Sequence, residues 1–140
     1  MAGTVVADTL QADSTSTLVI KNGVANTPPT IQDSSGTQIG TFCRAWVNFN
    51  GTGAVAIRAS FNVTSITDNG TGDYTLNFTT AMPDANYVVT SAADSGTGNA
   101  VIARTQDGTT ARTTSAVRVQ MLVLAGTAVD AAICQFSVFR

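Results

Sequence analysis

The sequence predicts an all-β protein, an antiparallel β-sandwich of jelly-roll-like kind entered by an extended N-terminal arm. Three observations carry that expectation. Apolar residues recur at every second position from Phe42 onward, and Gly, Asn and Asp fill the interruptions, which is the pattern of short strands joined by tight turns. The chain has no Glu and one Lys, Lys21, while Thr is its most frequent polar residue. Glu and Lys populate exposed helix faces and Thr and Val populate half-buried pleated surfaces, so the material for an amphipathic helix is missing. Finally, seven or eight strand patterns follow residue 41 at the spacing of about 8–12 residues expected of a sandwich or barrel. A chain of 140 residues is long enough for one domain with a hydrophobic core.

Residues 1–40 read as an arm and anchor, and residues 41–140 as the sandwich. The arm has few large apolar residues, among them Leu10, Leu18, Ile20, Ile31 and Ile39. Alone it buries too little surface to offset its chain entropy, so it is expected to lie on a partner chain or a larger assembly, with a disordered N-terminus as the alternative. Residues 16–22 have a strand pattern that ends at the Asn22-Gly23 turn signal. Pro28-Pro29 forces an extended backbone that no paired central strand accommodates. Residues 30–32 and 37–41 flank Asp33-Ser34-Ser35-Gly36, which reads as a hairpin turn.

From Phe42 the alternation sharpens. Cys43, Ala45, Val47 and Phe49 share one face of a strand, and Phe42, Arg44, Trp46 and Asn48 share the other. Large apolar groups on both faces mark Trp46 and Phe42 as candidates for subunit contact, with a core Trp as the alternative. Residues 54–59 form a strand with Val55 and Ile57 inward, and residues 61–66 another with Phe61 and Val63 inward. A loop over residues 67–73 joins this to Tyr74, Leu76 and Phe78, which alternate with Thr75, Asn77 and Thr79 as a half-buried strand. Strands follow at 87–92, 100–105 and 116–124. The last strand, at 131–140, places Cys134, Phe136 and Val138 on one face and Ile133 and Phe139 on the other.

Composition excludes several functions. A net charge of −2 provides no basic footprint for nucleic acid. The longest apolar run, 121–125, is too short to insert into a membrane, and the N-terminal residues carry no secretory signal pattern. With no His there is no Ser-His-Asp or Cys-His arrangement. Asp68, Asp73, Asp84 and Asp94 sit in expected loops and could be paired as in a glycosidase, but their Gly and Asn neighbours mark them first as turn formers. The 68–73 loop, DNGTGD, lacks the ligand order of a complete calcium loop. No cofactor, metal or catalytic residue is expected. Cys43 and Cys134 match no metal spacing; they read as buried free thiols, with a disulfide left open should their strands pair. Two features could serve binding. One is a pair of polar loops at 94–99 and 106–115, with Asp94, Asn99, Arg104, Asp107 and Arg112 as candidate ligand contacts. The other is the apolar face around Trp46, suited to self-association.

Three stretches, AWVNFNG at 45–51, SITDNGTGDY at 65–74 and FTTAMP at 78–83, resemble a module of bacteriophage and prophage virion proteins. It occurs at the C-terminal ends of tail fibres and in short stand-alone virion proteins, whose start GTVVADTL at 3–10 also resembles. The resemblance covers roughly a third of the chain. It implies a non-enzymatic virion component, a homotrimer attached to other virion proteins through residues 1–40, on the tail or capsid surface and assembled in the host cytoplasm. A fibre-like protein touching host surface polysaccharide is the first expectation. A capsid decoration, cement or head-fibre protein is the alternative, and a glycan-processing virion enzyme the rival from another class.

Overall fold

A computed structural model of the chain describes residues 20, 29–96, 98, 100–106 and 112–140. Its strands are β1 (Ile31–Gln32), β2 (Gln38–Gly40), β3 (Cys43–Asn50), β4 (Ala56–Phe61), β5 (Val63–Gly70), β6 (Asp73–Phe78), β7 (Val88–Asp94), β8 (Val101–Thr105), β9 (Ala116–Val123) and β10 (Ile133–Phe139). There is no helix among the described residues. Strands β3–β10 form two four-stranded sheets, ordered β4-β3-β10-β7 and β5-β6-β9-β8. Every neighbouring pair is antiparallel. The all-β sandwich expected from the alternation is therefore present.

The core lies between the two sheets and is filled by their central strands. Ala45, Val47 and Phe49 of β3 and Cys134, Phe136 and Val138 of β10 face Tyr74, Leu76 and Phe78 of β6 and Val117, Val119 and Met121 of β9, all buried. Because strand side chains alternate, one inward row from each of four strands suffices for a continuous core. Phe49 meets Tyr74 edge to face with ring centroids 5.2 Å apart and stacks on Phe136 at 6.3 Å. Such pairs add about 0.5–1.5 kcal/mol beyond the area they bury.

One end of the sandwich is fastened by a polar knot. The buried Tyr74 hydroxyl lies 2.7 Å from Asp130 Oδ1 and 2.9 Å from the Gly51 carbonyl oxygen, so its one hydrogen is shared between two acceptors. Burial, then the Asp130 carboxylate, push this phenol well above its ordinary range. The Gly72 N–H donates to Asp130 Oδ1 at 2.8 Å. Gly72 has φ +66°, and a Cβ there would stand 2.6 Å from the Met121 carbonyl oxygen and 2.8 Å from the Val129 nitrogen. At Gly51 a Cβ would meet the Tyr74 hydroxyl at 2.7 Å. Both sites exclude any side chain.

Two expectations need correction. Phe61 is not inward with Val63: it ends β4 on the outer face, while Val63 begins β5 in the core. The cause is Asn62, which adopts φ +56° and carries the chain from one sheet to the other. Its side chain holds the crossing by donating to the Arg44 and Thr80 carbonyls and accepting from the Thr80 N–H at 2.7 Å. Likewise, residues 67–70 are not loop. They pair with β6 through Gly70 opposite Asp73, leaving Thr71-Gly72 as the turn.

Of the arm, β1 and β2 form the expected hairpin, with the Asp33 carboxylate accepting from the N–H groups of Ser35 and Thr37, both at 2.9 Å. Its Ile31 and Ile39 are exposed, and a lone two-stranded hairpin is marginal in water. The expected strand at 16–22, apart from Ile20, and the stretch 3–10 lie outside the described residues. Cys43 and Cys134 are free thiols. Cys43 stands opposite Phe139 and Cys134 opposite Phe49, at the two ends of the β3–β10 ladder, so the pairing of these strands does not bring the thiols together. Burial pushes the Cys134 thiol up to about 12.

Candidate interaction surface

The alternation that buries one side of each strand exposes the other, and the two sheets use that outer side differently. On sheet β4-β3-β10-β7, Trp46 of β3 lies directly opposite Phe61 of β4 on one side and Ser137 of β10 on the other. Ser137 in turn faces Thr90 of β7, and Phe139 faces Val88. At the far end of the face, Ile133 stands beside Asp94. Trp46, Phe61, Val88 and Ile133 are all exposed. The Arg58 side chain lies across this face, donating to the Ala132 carbonyl at 2.7 Å and reaching the Asn50 and Asn48 side-chain oxygens at 3.4 and 3.5 Å.

Where the arm joins the sandwich, a cavity of about 640 Å³ opens beside this face, lined by Ile20, Pro29, Phe42, Phe61, Asn62 and Thr80 among others. Phe42 is exposed here. The Thr41 hydroxyl donates to the Arg140 carbonyl at 3.2 Å, tying the arm's root to the chain's last strand. The Arg140 guanidinium grips Asp84 through two bonds of 2.8 and 2.6 Å and holds that carboxyl below its ordinary range.

The described candidate ligand contacts, Asp94, Arg104 and Arg112, sit on different elements. In the chain, β8 (Val101–Thr105) lies between the stretches 94–99 and 106–115. Asp94 ends β7 and accepts from the Gly96 N–H at 2.8 Å, a turn-forming bond. Arg104 lies on β8 and donates to Gln120 Oε1 at 2.9 Å, while Arg112 donates to Thr105 Oγ1 at 2.9 Å. Asn99 and Asp107 lie outside the described residues. The acids weighed as a catalytic pair are also dispersed in role. Asp73 is held below its ordinary range by Arg118, at 2.8 and 2.5 Å. Asp84 pairs with Arg140, and Asp68 accepts from the Gly70 N–H at 2.9 Å. No group of three acid or thiol side chains is placed to hold a metal ion among the described residues.

Trp46 and Phe42, the two residues singled out from sequence for subunit contact, are both on the surface, and the core alternative for Trp46 is set aside. Sequence reasoning missed Phe61, which lies opposite Trp46, and Val88, which is exposed on the same sheet face. Val88 was legible, because it falls between Tyr87 and Val89, which share the opposite face. Phe61 was hidden by the sheet crossing at Asn62. No known family description matches the chain, and neither does any curated protein or solved structure.

Proposed function

We propose that this chain is a non-enzymatic bacteriophage virion structural protein, fibre-like and receptor-contacting, that assembles as a trimer through its N-terminal arm and its sandwich. The observation that carries the assembly is the apolar outer face of β4-β3-β10-β7, with Trp46 and Phe61 side by side on it. Exposed apolar groups clustered on one face mark a surface that another protein covers. The virion part of the reading rests on the resemblance of residues 45–51, 65–74 and 78–83. Those stretches supply the framework: Trp46 on the outer face, Gly51, Gly72 and Tyr74 in the polar knot, and Thr80 at the Asn62 crossing. Their acids, Asp68 and Asp73, hold a turn and an arginine. In this reading residues 1–40 anchor the trimer to other virion proteins, and the end of β8 that carries Arg104 and Arg112 faces host surface polysaccharide.

The test is antibody labelling of intact particles by electron microscopy, together with inhibition of particle adsorption by the purified protein. Label on the tail with blocked adsorption supports the reading. Label over the capsid moves the protein to a decoration or head-fibre role. Particles without label, or hydrolysis of host glycan by the purified chain, would overturn it.

A further inference from the structure

Where the arm meets the sandwich, the cavity has walls that are largely apolar and uncovered. Phe42 and Phe61, on its sandwich side, are 44 and 54% exposed, and Ile20, on its arm side, is 61% exposed. Its volume of about 640 Å³ equals that of roughly twenty water molecules at about 30 Å³ each. Replacing such water with an apolar side chain is favourable, because apolar surface leaves water on both sides of the contact. The polar part of the wall is already satisfied. Asn62 donates its amide hydrogens to the Arg44 and Thr80 carbonyls at 3.0 and 3.1 Å, and its oxygen accepts from the Thr80 N–H at 2.7 Å. A polar ligand finds no unsatisfied partner in that amide, so the occupant these walls select is apolar.

We infer that the cavity is filled by this chain's own Leu18, carried by residues 1–19, which lie outside the described residues and end on the cavity rim at Ile20. Residues 16–22 have the alternation of a strand, and in a strand positions i and i+2 share a face. Leu18 therefore shares the face of Ile20, which lines the cavity, and stands about 7 Å from it along an extended backbone. Val19 takes the opposite face. Residues 14–20 carry no charge, so docking them desolvates no ionised group.

The tether decides between occupants. A side chain two positions from the rim is present at a far higher effective concentration than a free partner or a second copy. The inference concerns a single chain and stands whatever assembly the protein forms. It moves the arm's fastening from Thr41, which donates to the Arg140 carbonyl, out to Leu18. Residues 1–17 are then the part of the arm left to reach another protein.

Cys43 supplies the readout. It lines the cavity as a half-buried free thiol, while Cys134 is fully buried and reports unfolding. The experiment follows iodoacetamide alkylation of each thiol by peptide mass in the folded full chain, for the natural protein, Leu18→Asp and Val19→Asp. Leu18→Asp is expected to speed Cys43 alkylation by about tenfold or more, the equilibrium equivalent of one buried leucine, with Cys134 unreacted. Val19→Asp should match the natural protein. Leu18→Cys, treated with a short bis-maleimide, should link to Cys43 and still run as one chain on a denaturing gel. Equal alkylation in all three proteins, or faster alkylation in both variants, would overturn the docking of Leu18. A Leu18→Cys protein that forms no link would overturn it too, and one that links two chains would assign the cavity to a neighbouring copy's arm instead.

Discussion

The two outer faces of the sandwich differ more than the two inner ones. On sheet β5-β6-β9-β8 most outward side chains are polar and satisfy one another, with Ile102 opposite Leu122 as an apolar exception. Asn77 donates to Ser65 and Thr67 at 3.1 and 3.0 Å, Asn69 to Thr75 at 2.9 Å, Arg118 to Asp73, and Arg104 to Gln120. Cross-strand polar pairs of this kind let an antiparallel sheet face water. The outward centre of β4-β3-β10-β7 instead sets Trp46 beside Phe61 and Val88 beside Phe139, with Ile133 at the far end. The same period-two pattern builds both sheets. What distinguishes the two surfaces is the second, outward row of residues.

Breaking the frame that both faces share has the largest effect. Gly72→Ala sets a side chain against the Met121 and Val129 backbone at a positive φ, and is expected to cost on the order of 3 kcal/mol or more by denaturant unfolding. Tyr74→Phe removes the hydroxyl shared by Asp130 and Gly51 and leaves buried acceptors short of a donor. Its expected cost is about 1–3 kcal/mol, read as a lower thermal midpoint. Both should weaken the two faces alike.

Alkaline pH tests the core between the faces. Burial raises the Cys134 thiol from an ordinary 9.0 to about 12 and the Tyr87 phenol from 10.0 to about 12, and raises Tyr74 as well. Ionisation then favours the unfolded chain. This stability is complete below pH 9 and is lost as pH climbs toward 12. In Cys134→Ala the decline should begin nearer pH 10, measured by circular dichroism against pH. The acid limb is the smallest effect. Asp73 and Asp84 are held low by Arg118 and Arg140, so their contribution is present above the ordinary carboxylate range and is lost as pH falls through the depressed values. Arg140 is exposed and Arg118 half-buried, so solvent screens both. Replacing Asp73 by Asn should flatten that limb on the polar sheet and leave association on the other sheet unchanged.

Much of the fold was legible because burial on one side writes a period of two into the chain. Tyr74, Leu76 and Phe78 announce β6, and Val117, Val119 and Met121 announce β9. Phe61 was misassigned because alternation continues through Asn62 in the sequence while the backbone turns over there. The loop expected at 67–73 was over-read for a related reason. Asp, Asn and Gly are turn formers, but here Asn69 also serves as a cross-strand partner of Thr75. The outward role of Trp46 was legible from its parity. Its neighbours were not, because which strands lie side by side depends on pairing between residues far apart in the chain, such as β3 with β10.

The most direct test of an unfinished face is the sedimentation-equilibrium mass of three proteins: the natural chain, Trp46→Lys on the apolar face, and Thr67→Lys on the polar one. The account predicts three times the 14.3 kDa chain mass for the natural chain and for Thr67→Lys, and a folded single chain for Trp46→Lys. A natural chain that stays single at every concentration, or a Trp46→Lys variant that assembles as well as the natural protein, would contradict it.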